Sequence, residues 1–259
     1  MNQGTYDGDL EEISFVASFN SNKSLYKDYL QNFHCYDNLW MSRVTTKQIS
    51  QLSEKKVFTR SDCYLIKALD DIQKLLIENN YYLSEEILDS KSIKYEKICN
   101  SGISIKMTTS TKFQILKVGP NSFKKLFGSY ELGAGASLYC KKEEELIKNP
   151  DVILGWQTSI NNMAKFYQAF TNENNSFCFN QQICAHIKNH ANNKIKKIIE
   201  NTPDLQKKIF NGIGLYEEPY TAHYFYHGAK ITKLTTIPFT VTTGSGRSKG
   251  DYTIVLKPC

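Results

Sequence analysis

An aspartate and a lysine stand at the ends of two short apolar runs in the first half of the chain. Asp62 precedes the run 63–66, and Lys106 ends the run 102–105. Each run is typical of a buried strand, yet each carries a charge that the hydrophobic pattern does not favour. Hydrolysis of a phosphodiester needs a hard cation held by carboxylates, a nucleophilic water, and a cation near the developing negative charge. The pair predicts such a site, although singly Asp62 fits a turn cap and Lys106 a solvated strand end.

The two segments resemble the motif of the PD-(D/E)xK nuclease superfamily and, within it, of type II restriction endonucleases. In that family an aspartate opens one strand and an (Asp/Glu)-x-Lys triplet ends the next, which matches Ser61-Asp62 and Ser104-Ile105-Lys106 here. Ser61 stands where the family has proline, and Ser104 stands where it has an acidic metal ligand. Some restriction enzymes that recognise CCGG-type cores carry a Ser-x-Lys triplet and take the missing carboxylate from elsewhere. The resemblance covers roughly residues 4–127.

The resemblance implies that Asp62 binds Mg²⁺ and that Lys106 positions or activates the attacking water. Because Ser104 cannot replace a carboxylate, another acid must complete the metal shell. The family often supplies a glutamate from an N-terminal helix, which makes Glu11 and Glu12 candidates. Glu12 is favoured because it follows Asp9 by three residues on the same helical face. Both glutamates also fit a solvated first helical turn, and Glu131 is the alternative ligand.

Two further groups compete for a role in chemistry. Pro150-Asp151 precedes an apolar run, as the family's aspartate does, but no acid-x-Lys triplet follows it. A turn between two helices explains the same residues. His186 and His190 stand four residues apart on a predicted helix, a spacing that suits Zn²⁺, without the glutamate of a His-Glu-x-x-His motif.

Candidate DNA-binding residues lie in two places. Arg247 and Lys249 are flanked by glycines, which let a backbone approach a phosphate or a base edge, and arginine can read guanine. Lys112 and Gln114 share one side of a predicted strand just after the triplet. An ordinary basic hairpin tip and a solvated strand face are the alternatives. The resemblance implies double-stranded DNA as the partner, no small-molecule substrate, and a homodimer, because two-fold symmetric sites match two-fold symmetric proteins.

The elements that position these residues form a predicted α/β fold, with a central mixed β-sheet flanked by helices and a restriction-endonuclease-like core. Residues 1–259 are expected to form a single domain with a catalytic core at about residues 4–127. A helical middle section and a C-terminal β-hairpin follow, with a predicted role in DNA recognition. The glycine-rich stretch 128–136 is predicted to be a loop.

Composition narrows the class of protein. The 259 residues carry 32 Lys and Arg against 26 Asp and Glu, a net charge of +6 that leans toward an anionic partner without proving one. The 7 cysteines show no Cys-x-x-Cys pair and are expected to be reduced and to pack as small hydrophobes in a cytoplasmic protein. No signal peptide or membrane-spanning run is visible, so no membrane partner is expected.

The sequence therefore predicts a site-specific, Mg²⁺-dependent endonuclease. Two alternatives stay open. One is a non-catalytic sequence-specific DNA-binding protein in which Asp62 and Lys106 form a buried ion pair. The other is a DNA repair nuclease of the same fold.

Overall fold

The computed structural model describes residues 3–45, 59–106, 113–171, 177–243 and 252–259. The chain divides into two compact units, formed by Met1–Ser110 with Phe210–Thr236 and by Thr111–Ile209 with Ile237–Cys259. The first boundary falls inside the predicted catalytic core, and the second unit contains the predicted helical middle section. Because compact units of this kind occur in one domain or in two, the single domain stays a prediction.

The helices and strands of the described residues are as follows. The helices are α1 (Gln3–Ser21), α2 (Lys27–Leu30), α3 (Gln73–Glu78), α4 (Glu85–Ser90), α5 (Pro120–Phe127), α6 (Tyr130–Ser137), α7 (Glu143–Leu146), α8 (Asn149–Gly155), α9 (Ile160–Phe166), α10 (Gln181–Glu200) and α11 (Pro203–Gln206). The strands are β1 (Leu39–Arg43), β2 (Cys63–Ala68), β3 (Tyr95–Lys97), β4 (Ile103–Ile105), β5 (Leu116–Val118), β6 (Tyr224–His227), β7 (Lys230–Lys233), β8 (Phe239–Thr243) and β9 (Ile254–Pro258). Among these helices, none has both the length and the apolar character that a bilayer span requires.

The first unit is built on a mixed sheet with the strand order β1-β2-β4-β6-β7, and β3 also pairs with β2. The neighbours β1 and β2, β2 and β4, and β6 and β7 are antiparallel, whereas β4 and β6 are parallel. The predicted fold class, a mixed α/β sheet flanked by helices, is confirmed.

The core of the first unit explains why these strands form. Residues 63–66 of β2 are fully buried, as expected for a central strand that is covered on both faces. Helix α1 packs against β1, and its buried Phe15 and Phe19 belong to the hydrophobic core of this unit. Asn20 then fastens helix to strand, because its side chain donates to the Met41 carbonyl oxygen at 2.9 Å and accepts from the Met41 amide at 2.8 Å. These bonds fix how the end of α1 lies against the middle of β1.

The second unit contains the antiparallel sheet β5-β9-β8 and the helix α6. The prediction of a loop over residues 128–136 is wrong, because Tyr130–Ser137 is helical and is capped by Ser129, whose hydroxyl accepts from the Leu132 amide at 3.1 Å. The glycines serve close packing. A Cβ on Gly133 would lie 2.2 Å from the Trp156 ring. The glycine-rich composition suggested a loop, but the small residues are needed for close packing of a helix.

The predicted turn at Pro150-Asp151 is also wrong. Both residues lie in the first turn of α8. An amide in the first turn has no acceptor within the helix, so proline loses no hydrogen bond there, and the negative charge of aspartate suits the helix dipole. Asp151 is therefore explained by helix initiation, and no strand follows it.

Candidate active site

The side chains of Asp62 and Lys106 meet where β2 begins and β4 ends. Oδ2 of Asp62 lies 3.8 Å from Nζ of Lys106. The two strands are antiparallel with Cys63 opposite Ile103, so the start of one lies beside the end of the other. The structure brings together the two residues that the sequence singled out, and their chemical roles stay predictions.

The backbone around β4 fixes the orientation of the Asp62 carboxylate. Its Oδ2 accepts the Ile105 amide at 2.6 Å, and the Ser104 hydroxyl lies 3.4 Å away. The Asp62 amide in turn donates to the Ile103 carbonyl oxygen at 2.8 Å. Hydrogen bonds to a carboxylate are short and strong, so this side chain is held in place. The Asp62 and Lys106 side chains remain 24% and 27% exposed, which leaves the pair open to solvent.

Arg43, at the end of β1, joins this site to the N-terminal helix. Its Nε and Nη2 contact Oε2 of Glu12 at 2.8 and 2.7 Å, and Nη2 contacts Oδ1 of Asp9 at 2.7 Å. Asp9 and Glu12 are three residues apart on α1, so one guanidinium spans two acids of the same helical face. Sequence reasoning missed Arg43. The signal was present, since Arg43 is also a charge that ends a buried apolar strand.

The pKa of Glu12 responds to the charge of Asp62. This pKa is raised to about 7 as the net result of burial, which contributes most, and of the negative charges of Asp62 and Asp9, while Arg43 opposes the shift. Burial raises the pKa of the Cys63 thiol, and Asp62 and Glu12 add to the effect. We call the group Asp9, Glu12, Arg43, Asp62 and Lys106 the charged cluster. It contains three acids and two bases around the junction of α1, β1, β2 and β4.

The donor set of the charged cluster fits a magnesium ion. Glu12 and Asp62 offer carboxylate oxygens, and their mutual repulsion is the kind of imbalance that a divalent cation relieves. Within the described part of the chain, no three His, Cys, Asp or Glu side chains are grouped closely enough to hold a metal by themselves. Mg²⁺ commonly uses one or two carboxylates and completes its shell with water and substrate phosphate. The two carboxylates suit that mode of binding.

The other candidate acids have different surroundings. The charge of Glu11 contributes to a raised pKa of Tyr226, behind the larger effects of burial and of Tyr26. Glu131 belongs to the second compact unit, and its carboxylate accepts from Thr158 at 2.7 Å and from Ser129 at 2.8 Å. Glu12 is thus the candidate glutamate whose pKa responds to Asp62.

The predicted DNA-binding residues are only partly described. Gln114 is exposed but precedes β5, so the strand predicted there does not include it, whereas Lys112, Arg247 and Lys249 lie outside the described residues. His190, one of the two histidines considered for Zn²⁺, packs its ring against the rings of Tyr167 and Phe170, whose centroids lie 6.1 and 5.6 Å from its own.

The raised pKa of Glu12 predicts a pH-dependent stability of the metal-free protein. The folded state holds this proton more tightly than the unfolded state, whose pKa is near 4.5. The stabilising contribution is therefore full below about pH 4.5 and is lost as the pH rises toward 7. We expect Glu12 to lower the free energy of unfolding by about 1–3 kcal/mol between pH 5 and pH 8.

Urea denaturation over that pH range, in the presence of a chelator, checks this expectation. The variant Glu12→Gln should flatten the pH profile because its side chain does not titrate. Glu11→Gln is the matched control and should keep the wild-type profile. Identical profiles for wild type and Glu12→Gln would contradict the raised pKa.

Comparisons with protein-family models and with curated proteins found no match for this chain. The assignment of a function to the charged cluster rests on its geometry and chemistry.

Proposed function

We propose that this chain is a type II restriction endonuclease that hydrolyses phosphodiester bonds at a short specific site in double-stranded DNA with Mg²⁺. The observation that carries the proposal is the charged cluster, in which Asp62 meets Lys106 at two strand ends and also influences the pKa of Glu12. Two carboxylates beside an ammonium group combine the metal-binding and charge-stabilising functions that this hydrolysis needs.

Asp62 and Glu12 would hold the metal, and Arg43 would keep Glu12 in position. The ion, when bound, supplies Lewis-acid polarisation of a phosphate oxygen and lowers the pKa of a nearby water. The Lys106 ammonium would orient the attacking water and stabilise negative charge on the phosphoryl oxygens. The water oxygen forms a bond to phosphorus and releases a proton to solvent, the bond to the leaving sugar oxygen breaks, and that oxygen takes a proton from solvent.

Ser104 supports the variant form of the site. Its hydroxyl lies near Oδ2 of Asp62, at 3.4 Å, in the position where the resemblance expects an acid. Glu12 would replace that acid from helix α1 instead of from β4. The Asp62-dependent pKa of Glu12 favours it over Glu11 and Glu131 as the second carboxylate.

The partners follow from the proposed reaction. We infer that the protein acts in the cytoplasm as a homodimer, because a two-fold symmetric DNA site is matched by a two-fold symmetric protein. Gln114, with Lys112, Arg247 and Lys249, would contact the DNA. The net charge of +6 favours an anionic partner in general terms.

Digestion of a plasmid of known sequence tests the proposal. With Mg²⁺ we expect a few discrete fragments whose sequenced ends share one short motif, and with a chelator we expect none. Asp62→Asn protein, purified in parallel, controls for contaminating nucleases. Cuts without a common sequence, concentrated at lesions or branches, would indicate a repair nuclease instead.

One observation favours a second candidate, a non-catalytic DNA-binding protein. Asp62 already pairs with Lys106, and Glu12 already pairs with Arg43, so both carboxylates have a counter-charge within the protein. In that case the cluster would be structural. Tight sequence-specific binding that is independent of metal and produces no nicks would select this alternative.

A further inference from the structure

Two cysteines of the second compact unit lie side by side, although they are far apart in the sequence. Cys184 is buried in α10 and Cys140 is partly exposed just before α7, and each thiol shifts the pKa of the other. The fully buried Asn149 holds this arrangement. Its Nδ2 lies 3.4 Å from Sγ of Cys184, and its Oδ1 accepts from the amide of Tyr139, the residue before Cys140, at 2.9 Å.

A lysine stands beside the same pair. Lys188 follows Cys184 by one helical turn, and its Nζ donates to the Leu138 carbonyl oxygen at 3.0 Å. Sγ of Cys140 lies 3.5 Å from that same oxygen, so the ammonium and the sulfur share one acceptor. The carbonyl of Leu138 therefore holds a positive charge next to Cys140.

These contacts make the two thiols unequal. Interaction with the Cys184 thiol lowers the pKa of Cys140 below its ordinary value, and the charge of Lys188 adds to this, against burial and the charge of Glu145. The same interaction, together with burial, raises the pKa of Cys184. A low-pKa thiol that solvent can reach, next to a second thiol that stays protonated, is the usual arrangement of a reactive and a resolving cysteine.

We propose that Cys140 and Cys184 form a redox-active dithiol whose oxidant is a hydroperoxide. The Cys140 thiolate attacks one peroxide oxygen, the O–O bond breaks, and the departing hydroxide takes a proton to become water. Sγ of Cys184 then attacks Sγ of the Cys140 sulfenic acid, the S–O bond breaks, and the thiol proton leaves with the oxygen as a second water. Two thiols and one hydrogen peroxide thus give one disulfide and two waters, with the two electrons passing from sulfur to oxygen. A dithiol reductant reverses the reaction by exchange.

Peptide mapping after peroxide treatment tests the proposal on the full chain. With one equivalent of hydrogen peroxide, followed by alkylation and digestion, we expect a peptide linked through Cys140 and Cys184 that dithiothreitol removes. The internal references are the exposed cysteines, which should escape oxidation and be recovered in the alkylated form: Cys35, Cys99 and Cys259. In Cys184→Ser, the Cys140 sulfenic acid should persist and be trapped by dimedone.

A second measurement does not require the Cys184→Ser variant, whose substitution is buried, to fold. Iodoacetamide at pH 7 should alkylate Cys140 about three to ten times faster than Cys35, and Lys188→Met should reduce that advantage. A peroxide-induced link from Cys184 to Cys178 instead of Cys140 would overturn the assignment. So would equal alkylation rates for Cys140 and the exposed cysteines.

Discussion

Replacing Asp62 with asparagine or Lys106 with methionine is expected to reduce DNA cleavage by at least about a thousandfold, while specific binding persists. Asp62→Asn keeps the shape of the side chain but removes the charge that a metal requires. Lys106→Met keeps the apolar stem and removes the ammonium that would stabilise the developing negative charge. Single-turnover cleavage of a short duplex carrying the identified site, with gel-shift binding in Ca²⁺, separates the two effects.

The chain offers a matched control on the same strand. Lys67 of β2 lies 3.6 Å from Asp37, nearly the same separation as Lys106 from Asp62, but at the other end of the strand. Lys67→Met and Asp37→Asn should leave the cleavage rate within about twofold of wild type, because surface ion pairs contribute little. Full activity in either Asp62→Asn or Lys106→Met would remove these residues from the chemistry.

The sequence predicted those parts of the site that depend on local patterns of residues. The buried run after Asp62 and the run before Lys106 are strands, because continuous apolar segments of that length must be covered on both faces. Once they pair in antiparallel register, the charges at the start of one and the end of the other must meet. The meeting of Asp62 and Lys106 could therefore be predicted from residue types and spacing alone.

The remainder of the site depends on contacts between distant segments. Arg43 reaches Glu12 because α1 packs against β1 and Asn20 bonds to Met41, and no local pattern encodes that orientation. The parallel neighbour of β4 is β6, whose residues come more than a hundred positions later. Such pairings are set by the global fold, which a single sequence does not display.

The glycine-rich segment shows a different limit. Gly133 and Gly135 resemble a loop in composition, yet each lies against an aromatic ring, of Trp156 and of Tyr167. The requirement for a small residue came from the neighbouring helices. The same holds for Cys140 and Cys184, which are far apart in the sequence and are joined through Asn149 in the fold.

Arg43→Met is expected to destabilise the metal-free protein by about 2–4 kcal/mol at pH 8, because it leaves Glu12 and Asp9 without their counter-charge near Asp62. At pH 5.5 the loss should be smaller, since Glu12, whose pKa is about 7, is then protonated. Urea denaturation of wild type and variant at the two pH values measures both quantities. Mg²⁺ should restore more stability to the variant than to wild type, because the cation replaces the missing guanidinium.

A double variant shows whether the loss comes from an unpaired charge. Adding Glu12→Gln to Arg43→Met should recover about half of the lost stability at pH 8, because the buried negative charge is then gone. Lys97→Met provides the comparison, since it breaks a different ion pair of the same unit, Lys97–Glu85 at 2.7 Å. Its loss should be unaffected by Glu12→Gln or by Mg²⁺. If the double variant is no more stable than Arg43→Met, Arg43 acts through packing, and the charged cluster loses the electrostatic coupling on which the proposed metal site depends.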